Sequence, residues 1–293
     1  MMSIKLGILI LHGIGNQDET YADDFMKSLR SHFAKNIASL HPAPGSQVEM
    51  VPIYWGSVFN EREDELWAKV NKQKTLNYSF LRQFVIRFFG DAIAYQPSPV
   101  SFPHLNPNYE RVHEAVASGM HKLREKTSDL SPLTVVSHSL GTVIASNYFY
   151  DLQYLQEKIP DAIKQLKSDN PLENGETLAN FYTLGTPMPL WTLRYNDFDK
   201  PIDVPSPQLK KHFPHLSGEW INYYDQDDVI AFPLKSLNEV YNRSVKKDIE
   251  VSSGNIFTSW SPFSHIFYFK TDKIIKEIAL SLSEQWKKVN GIS

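Results

Sequence analysis

The sequence predicts an α/β protein built on a mostly parallel sheet, and three observations carry that prediction. Short apolar, β-branched or aromatic runs alternate with longer helical patterns. The first run passes straight into a His-Gly turn, "LHGIGN" at 11–16. A later run ends in a serine flanked by small residues, "VVSHSLGT" at 135–142, just before a helical pattern begins. Strands that alternate with helices pack as a parallel sheet covered on both faces, and right-handed crossovers leave few topologies.

The candidate strands are 4–11, 48–55, 133–136, 180–184, 219–224 and 248–252, each bounded by turn residues. The candidate helices are 21–40, 109–126, 139–154 and 272–289, where apolar residues recur at helical spacing. Two stretches break the alternation. Residues 61–105 open with two successive helical patterns up to 96, the second containing "FLRQFVIRFF" with Arg82 and Arg87 among large apolar side chains. Residues 187–217 carry six prolines together with Trp191, Tyr195 and Phe198, and read as irregular. Long irregular segments inside a compact domain are usually functional, so both are candidate caps or lids.

Composition bounds what the chain does. At 293 residues, 42% hydrophobic and 22% charged, it is long enough for a sizeable core. Without a repeat or a low-complexity linker, one domain spanning 1–293 is the better count. A net charge of -3 from interspersed charges gives nucleic acid no basic surface to bind. The absence of cysteine removes disulfides and thiolate metal sites. The apolar start lacks a small-residue cleavage site, and no apolar run is long enough to span a bilayer, so a soluble, cytoplasmic protein is expected.

Ser139 is the candidate nucleophile. Where a strand turns sharply into a helix, the residues two before and two after the serine must be small, and Ser137 and Gly141 meet that demand. Glycine is the familiar residue at the first of these positions, so Ser137 is a departure. A helix N-cap is the plainer role for such a serine. The 11–16 turn is where a backbone donor for an oxyanion would lie, which makes the amides of Ile14 and Leu140 the candidate pair, with His12 and Gly13 beside the substrate. A dinucleotide loop would need glycine at 18, where Asp18 stands.

Of the ten histidines, His265 alone lies after the last candidate strand and before the last helix, so it is the candidate base. His138, next to the serine, His113 and His121 on a helix, and His212 and His215 in the Pro-rich stretch read as structural or solvent-exposed. His212 and His215 have ligand spacing but no third ligand nearby, so no metal is expected. The acid should follow the strand at 219–224, where Asp225, Asp227 and Asp228 cluster. Asp228 is preferred because the apolar run after it can pack down and fix the loop; Asp225 and Asp227 read as turn and surface acids.

With "HGIG" at 12–15, "SHSLG" at 137–141, "DDV" at 227–229 and "SH" at 264–265, in that order, the sequence resembles the α/β-hydrolase superfamily. "YTLGTPMPL" and "WINYYDQDDVIAF" resemble its serine esterase and lipase branch, and the Trp220-x-Asn222-x-Tyr224 spacing is similar to intracellular phospholipases of the DDHD type. The resemblance implies an α/β-hydrolase fold of about six strands that lacks the first antiparallel strands. It implies a Ser139, His265 and Asp228 triad acting without a cofactor on a small-molecule or lipid ester. The same machinery serves acyl transfer and thioesters, and a hydrolase fold also serves as a non-catalytic binding module. Flanking arginines on "FLRQFVIRFF" suit peripheral contact with a lipid surface, but a buried helix with snorkelling arginines is the preferred reading. The sequence leaves the oligomeric state open.

Overall fold

The computed structural model describes residues 3–13, 18–72, 77–96, 107–193, 200–253 and 265–292. Its frame is one six-stranded sheet in the order β2-β1-β3-β4-β5-β6, with every neighbouring pair parallel. The strands are β1 (Leu6–Leu11), β2 (Val48–Ile53), β3 (Leu133–His138), β4 (Leu178–Leu184), β5 (Glu219–Tyr224) and β6 (Lys247–Glu250). β1, β3 and β4 are buried at every residue, as befits central parallel strands covered on both sides.

Alternation along the strands divides the core into two layers. Leu9 and Leu11 of β1 face one way with Val51, Ile53, Val135, Phe181 and Trp220. Over this face lie α4 (Pro107–Lys126), α5 (Leu140–Tyr154) and α6 (Asp161–Leu166). Ile8 and Ile10 face the other way, with Met50, Val136, Tyr182 and Tyr223, against α1 (Asp23–Asn36) and α8 (Asp272–Val289). This is the α/β-hydrolase fold, and the described sheet contains no antiparallel strand. Its order reverses between β1 and β3. The carboxyl ends of strands at such a reversal form the crevice where ligands bind in open α/β sheets.

Element boundaries differ from expectation only at their ends. β3 runs on to His138 because Ser137 and His138 pair in register with Thr183 and Leu184. The first helix spans 23–36 rather than 21–40, and the Tyr21 hydroxyl just ahead of it bonds the backbone of Ile10 and Ile53. The first insertion forms α2 (Asn60–Val70) and α3 (Ser79–Ala94), while 97–106 lies outside the described residues. On α3, where a buried helix was expected, the described side chains of Val85, Phe89 and Ile93 are exposed at i, i+4 and i+8. Arg82 bonds the Asn77 carbonyl and Arg87 pairs with Asp64, so these arginines are held by neighbours instead of snorkelling.

The Pro-rich stretch is anchored in two places. Met188–Leu193 forms a tight 3-10 turn after β4, and α7 (Leu209–His212) packs Leu209, with Phe213 and Leu216, on Ala179 at the start of β4. Its second half therefore sits at the opposite end of the sheet from Ser139, and only 187–193 lies on the Ser139 side among the described residues; Tyr195 and Phe198 fall outside them. Among the described residues no helix is long and apolar enough to cross a membrane.

Candidate active site

The turn from β3 into α5 puts Ser139 in a conformation that side chains other than glycine seldom adopt, with φ 52° and ψ -130°. Such a residue costs about 1 to 3 kcal/mol and persists only when its surroundings hold it there. Here they do. The Ser139 amide donates to the Leu184 carbonyl at 2.9 Å, and its own carbonyl accepts from the Thr142 amide at 2.9 Å and the Thr142 hydroxyl at 2.7 Å. Thr142 is held in turn by the Thr186 hydroxyl at 2.6 Å, which accepts from the Met188 amide. Ser139 thus caps nothing with its side chain; its hydroxyl is left for other work.

Glycine is required on both sides of the serine. A Cβ at Gly141 would lie 2.3 Å from the His12 carbonyl oxygen, and one at Gly13 would lie 2.4 Å from Ser139 Cβ. The loop after β1 therefore runs directly across the start of α5. Gly141→Ala is expected to lower stability by about 2 to 3 kcal/mol, because the obstacle is backbone and cannot rotate away. An unchanged urea midpoint would contradict that packing. Ser137 is fully buried, and its hydroxyl has no hydrogen-bond partner among the described residues.

His265 brings the other groups together. Its Nδ1 lies 2.7 Å from Asp228 Oδ2 and its Nε2 lies 2.6 Å from Ser139 Oγ, all three side chains being buried. Burial alone would raise the Asp228 pKa, but the hydrogen bond and charge of His265, the Ile230 amide and the Tyr268 hydroxyl outweigh it and hold the carboxyl below its usual range. An ionised carboxylate only accepts, so Nδ1 carries the imidazole proton and Nε2 is left to accept from the serine hydroxyl.

The three clustered acids separate cleanly. Asp225 is buried, but its carboxylate accepts from the Ser253 amide and hydroxyl and from the Asp227 amide, which pins the turn after β5 to the chain after β6. It is therefore a buried structural acid and not a surface one. Asp227 is exposed. Only Asp228 reaches the imidazole. Trp220 and Asn222, singled out by their spacing, bond Thr183, the Phe232 carbonyl and Asp248, and so serve the scaffold below the site.

The loop residues divide in the same way. The His12 ring is buried: it stacks on Trp55 at 4.6 Å between centroids, Nε2 accepts from the Trp55 amide and Nδ1 bonds the Gly13 carbonyl. Burial drops its pKa to about 4, so the ring is neutral and supports the loop from beneath. Gly13 lies against Ser139. Leu140 is the first residue of α5, where a backbone amide has no intrahelical acceptor. Ile14 lies outside the described residues.

Two residues at the site were not picked out as functional by the sequence. His138 is buried, and its Nε2 donates to the His265 carbonyl at 2.6 Å, so the residue beside Ser139 holds the backbone of His265. Burial and the neighbouring His265 bring its pKa to about 3, which keeps it neutral. Tyr268 sends its hydroxyl to Asp228 Oδ2 at 3.0 Å. Adjacency to Ser139 and a position three residues past His265 were the only sequence signals. Elsewhere, His113 is buried against Tyr95, and His212 bonds Glu176. Among the described residues no group of three or more His, Cys, Asp or Glu is placed to hold a metal ion.

No family model and no curated protein matches the chain. Among solved structures, one reported for the metagenome-derived lipolytic enzymes LipS and LipT aligns with 97% of this chain and 95% of that one, at 11% identity and a TM-score of 0.41. A likeness at that level says nothing about chemistry, which has to be argued from the site.

Proposed function

We propose that this protein is a serine hydrolase that cleaves carboxylic esters through an acyl-enzyme. The observation that carries the reading is the unbroken hydrogen-bonded line from Ser139 Oγ through His265 to Asp228, at 2.6 and 2.7 Å, on a sharply turned strand-to-helix junction. Within it Ser139 Oγ attacks the ester carbonyl as Nε2 of His265 takes its proton, and the same proton then passes to the departing alkoxide. Asp228 holds the imidazole in the right tautomer and stabilises its cation. The amides of Leu140 and Ile14 are proposed to receive the oxyanion, each worth on the order of 3 kcal/mol. Water activated by His265 then releases the acid. No step uses a cofactor.

The exposed Val85, Phe89 and Ile93 stripe on α3 favours esters with a long apolar acyl chain, or reaction at a lipid surface, over small polar ones. Acyl transfer to an alcohol and thioester cleavage use the same groups and differ in the acceptor or leaving atom.

A fluorophosphonate probe tests the reading together with p-nitrophenyl esters of increasing chain length. Labelling of the native protein, lost in Ser139→Ala, is expected, with turnover that rises from acetate toward medium-chain esters. A folded protein that takes no label would instead be a hydrolase-fold binding module.

A further inference from the structure

Tyr268 is fully buried below the site, in a space cleared by Gly185, where a Cβ would lie 2.7 Å from the tyrosine ring. Its oxygen has two partners. The Asp225 amide donates to it at 2.9 Å, which occupies a lone pair, so the single hydroxyl proton is directed at Asp228 Oδ2, 3.0 Å away. That oxygen is the one His265 Nδ1 also approaches, at 2.7 Å. Resting on the hydrolase reading above, we propose that Tyr268 is a positioning residue for the acid and base, its oriented hydroxyl sharing Asp228 Oδ2 with the imidazole and so setting the charge the imidazole meets.

The rival role for Tyr268 is to fill the core, which a phenylalanine of the same shape would do as well. Against it stands the economy of the contacts: one hydroxyl joins the first residue of the acid-bearing turn, Asp225, to the acid itself. Burial and the nearby Asp228 charge push the phenol pKa well above its ordinary value, so the hydroxyl stays a neutral donor. The titratable groups facing it among the described residues are Asp225 and Asp228 after β5, His138 at the end of β3, and His265 on its own segment. Removing the hydroxyl returns negative charge to the side of Asp228 that faces His265, which favours the imidazolium.

Tyr268→Phe is therefore expected to lower kcat about ten-fold, the effect of losing one hydrogen bond to a charged group, with KM little changed. The acid limb of kcat/KM should move to higher pH. Tyr182→Phe is the control, since it deletes an equally buried hydroxyl, bonded to Glu219 and Ser281, on the same face of the sheet; its acid limb should stay in place. Replacing Tyr268 by 3,5-difluorotyrosine keeps the shape, makes a stronger donor, and should move the limb to lower pH even if the phenylalanine variant does not fold. A limb that stays fixed in the position-268 variants, or a loss equal in both phenylalanine variants, overturns the positioning role. Native protein that takes no fluorophosphonate label would remove the hydrolase reading and this inference with it, whereas active native protein with an indifferent position 268 removes the inference alone.

Discussion

Ser139→Ala and His265→Ala are each expected to lower kcat for ester hydrolysis by about 10⁶-fold, and the double variant no further. On the proposed mechanism the two side chains act as one device: a serine without its base is a neutral alcohol, and a base without its serine has no proton to take. Once either is gone, the residual rate comes from the oxyanion donors and substrate binding, which both single variants retain. Asp228→Asn should fall short of this, at about 10⁴-fold, because an amide beside Nδ1 turns the ring toward the wrong tautomer but leaves nucleophile and base in place. Steady-state kinetics on one p-nitrophenyl ester decide the matter. If the double variant lost the product of the two single factors, Ser139 and His265 would be acting independently, and the triad reading would fail.

The second large effect is on stability in mild acid. His12, His113 and His138 are fully buried, and burial brings them to about 4, 3 and 3 respectively, against about 6.5 in the unfolded chain. Between those limits the unfolded state binds more protons, so stability rises with pH and is lost as pH falls through 6.5. Three such groups would give a slope of about 4 kcal/mol per pH unit near pH 5. Asp91 works the other way. Burial and the adjacent Glu63 carboxyl hold it protonated well above the usual carboxylate range, so its contribution is present in acid and lost as pH rises. Over the same window it offsets about one of the three histidines, which leaves a loss of about 3 kcal/mol between pH 6.5 and 5. Urea midpoints should therefore peak near neutrality and fall on both sides, steeply in acid and gently in alkali. A midpoint unchanged from pH 6.5 to 5 would mean that these histidines are already charged in the folded protein.

What the sequence made legible follows from how strongly local sterics constrain it. The elbow could be read because a strand that turns straight into a helix tolerates only small neighbours, and Gly141 meets a carbonyl oxygen of the loop after β1, as that demand requires. The meeting of His265 with Ser139 and Asp228 could be expected from chain order. The choice among Asp225, Asp227 and Asp228 could only be leaned on, because two of them are buried and what separates them is which lone pairs are already taken, a matter of tertiary contact. Tyr268 and His138 were silent for a related reason: an aromatic residue among apolar neighbours looks like core filling until its polar atom is seen to have a partner. His12 shows the converse, since a histidine in a glycine loop suggests contact with substrate, but its two nitrogens are spent on the backbone. The exposed face of α3 also escaped the sequence, because large apolar residues all round a helix look buried when nothing specifies what would cover them.

The sheet order also governs when Ser139 acquires its surroundings. β1 receives its second neighbour only when β3 arrives, with Gly7 beside Leu133 and the whole β2 to α4 stretch in between. Joining partners so distant in the chain means closing a long loop before any pairing energy is gained, which makes such folds slow compared with helical bundles. The penalty grows only with the logarithm of loop length, so the α2 and α3 insertion adds little to it. Ser139 stands at the far end of β3 and takes its backbone geometry from Leu184 on β4, its hydrogen-bond partner His265 from the segment after β6, and that histidine's partner Asp228 from the turn after β5. A chain that has not yet assembled those later strands carries an ordinary serine, so on the proposed mechanism reactivity is the last property that folding confers.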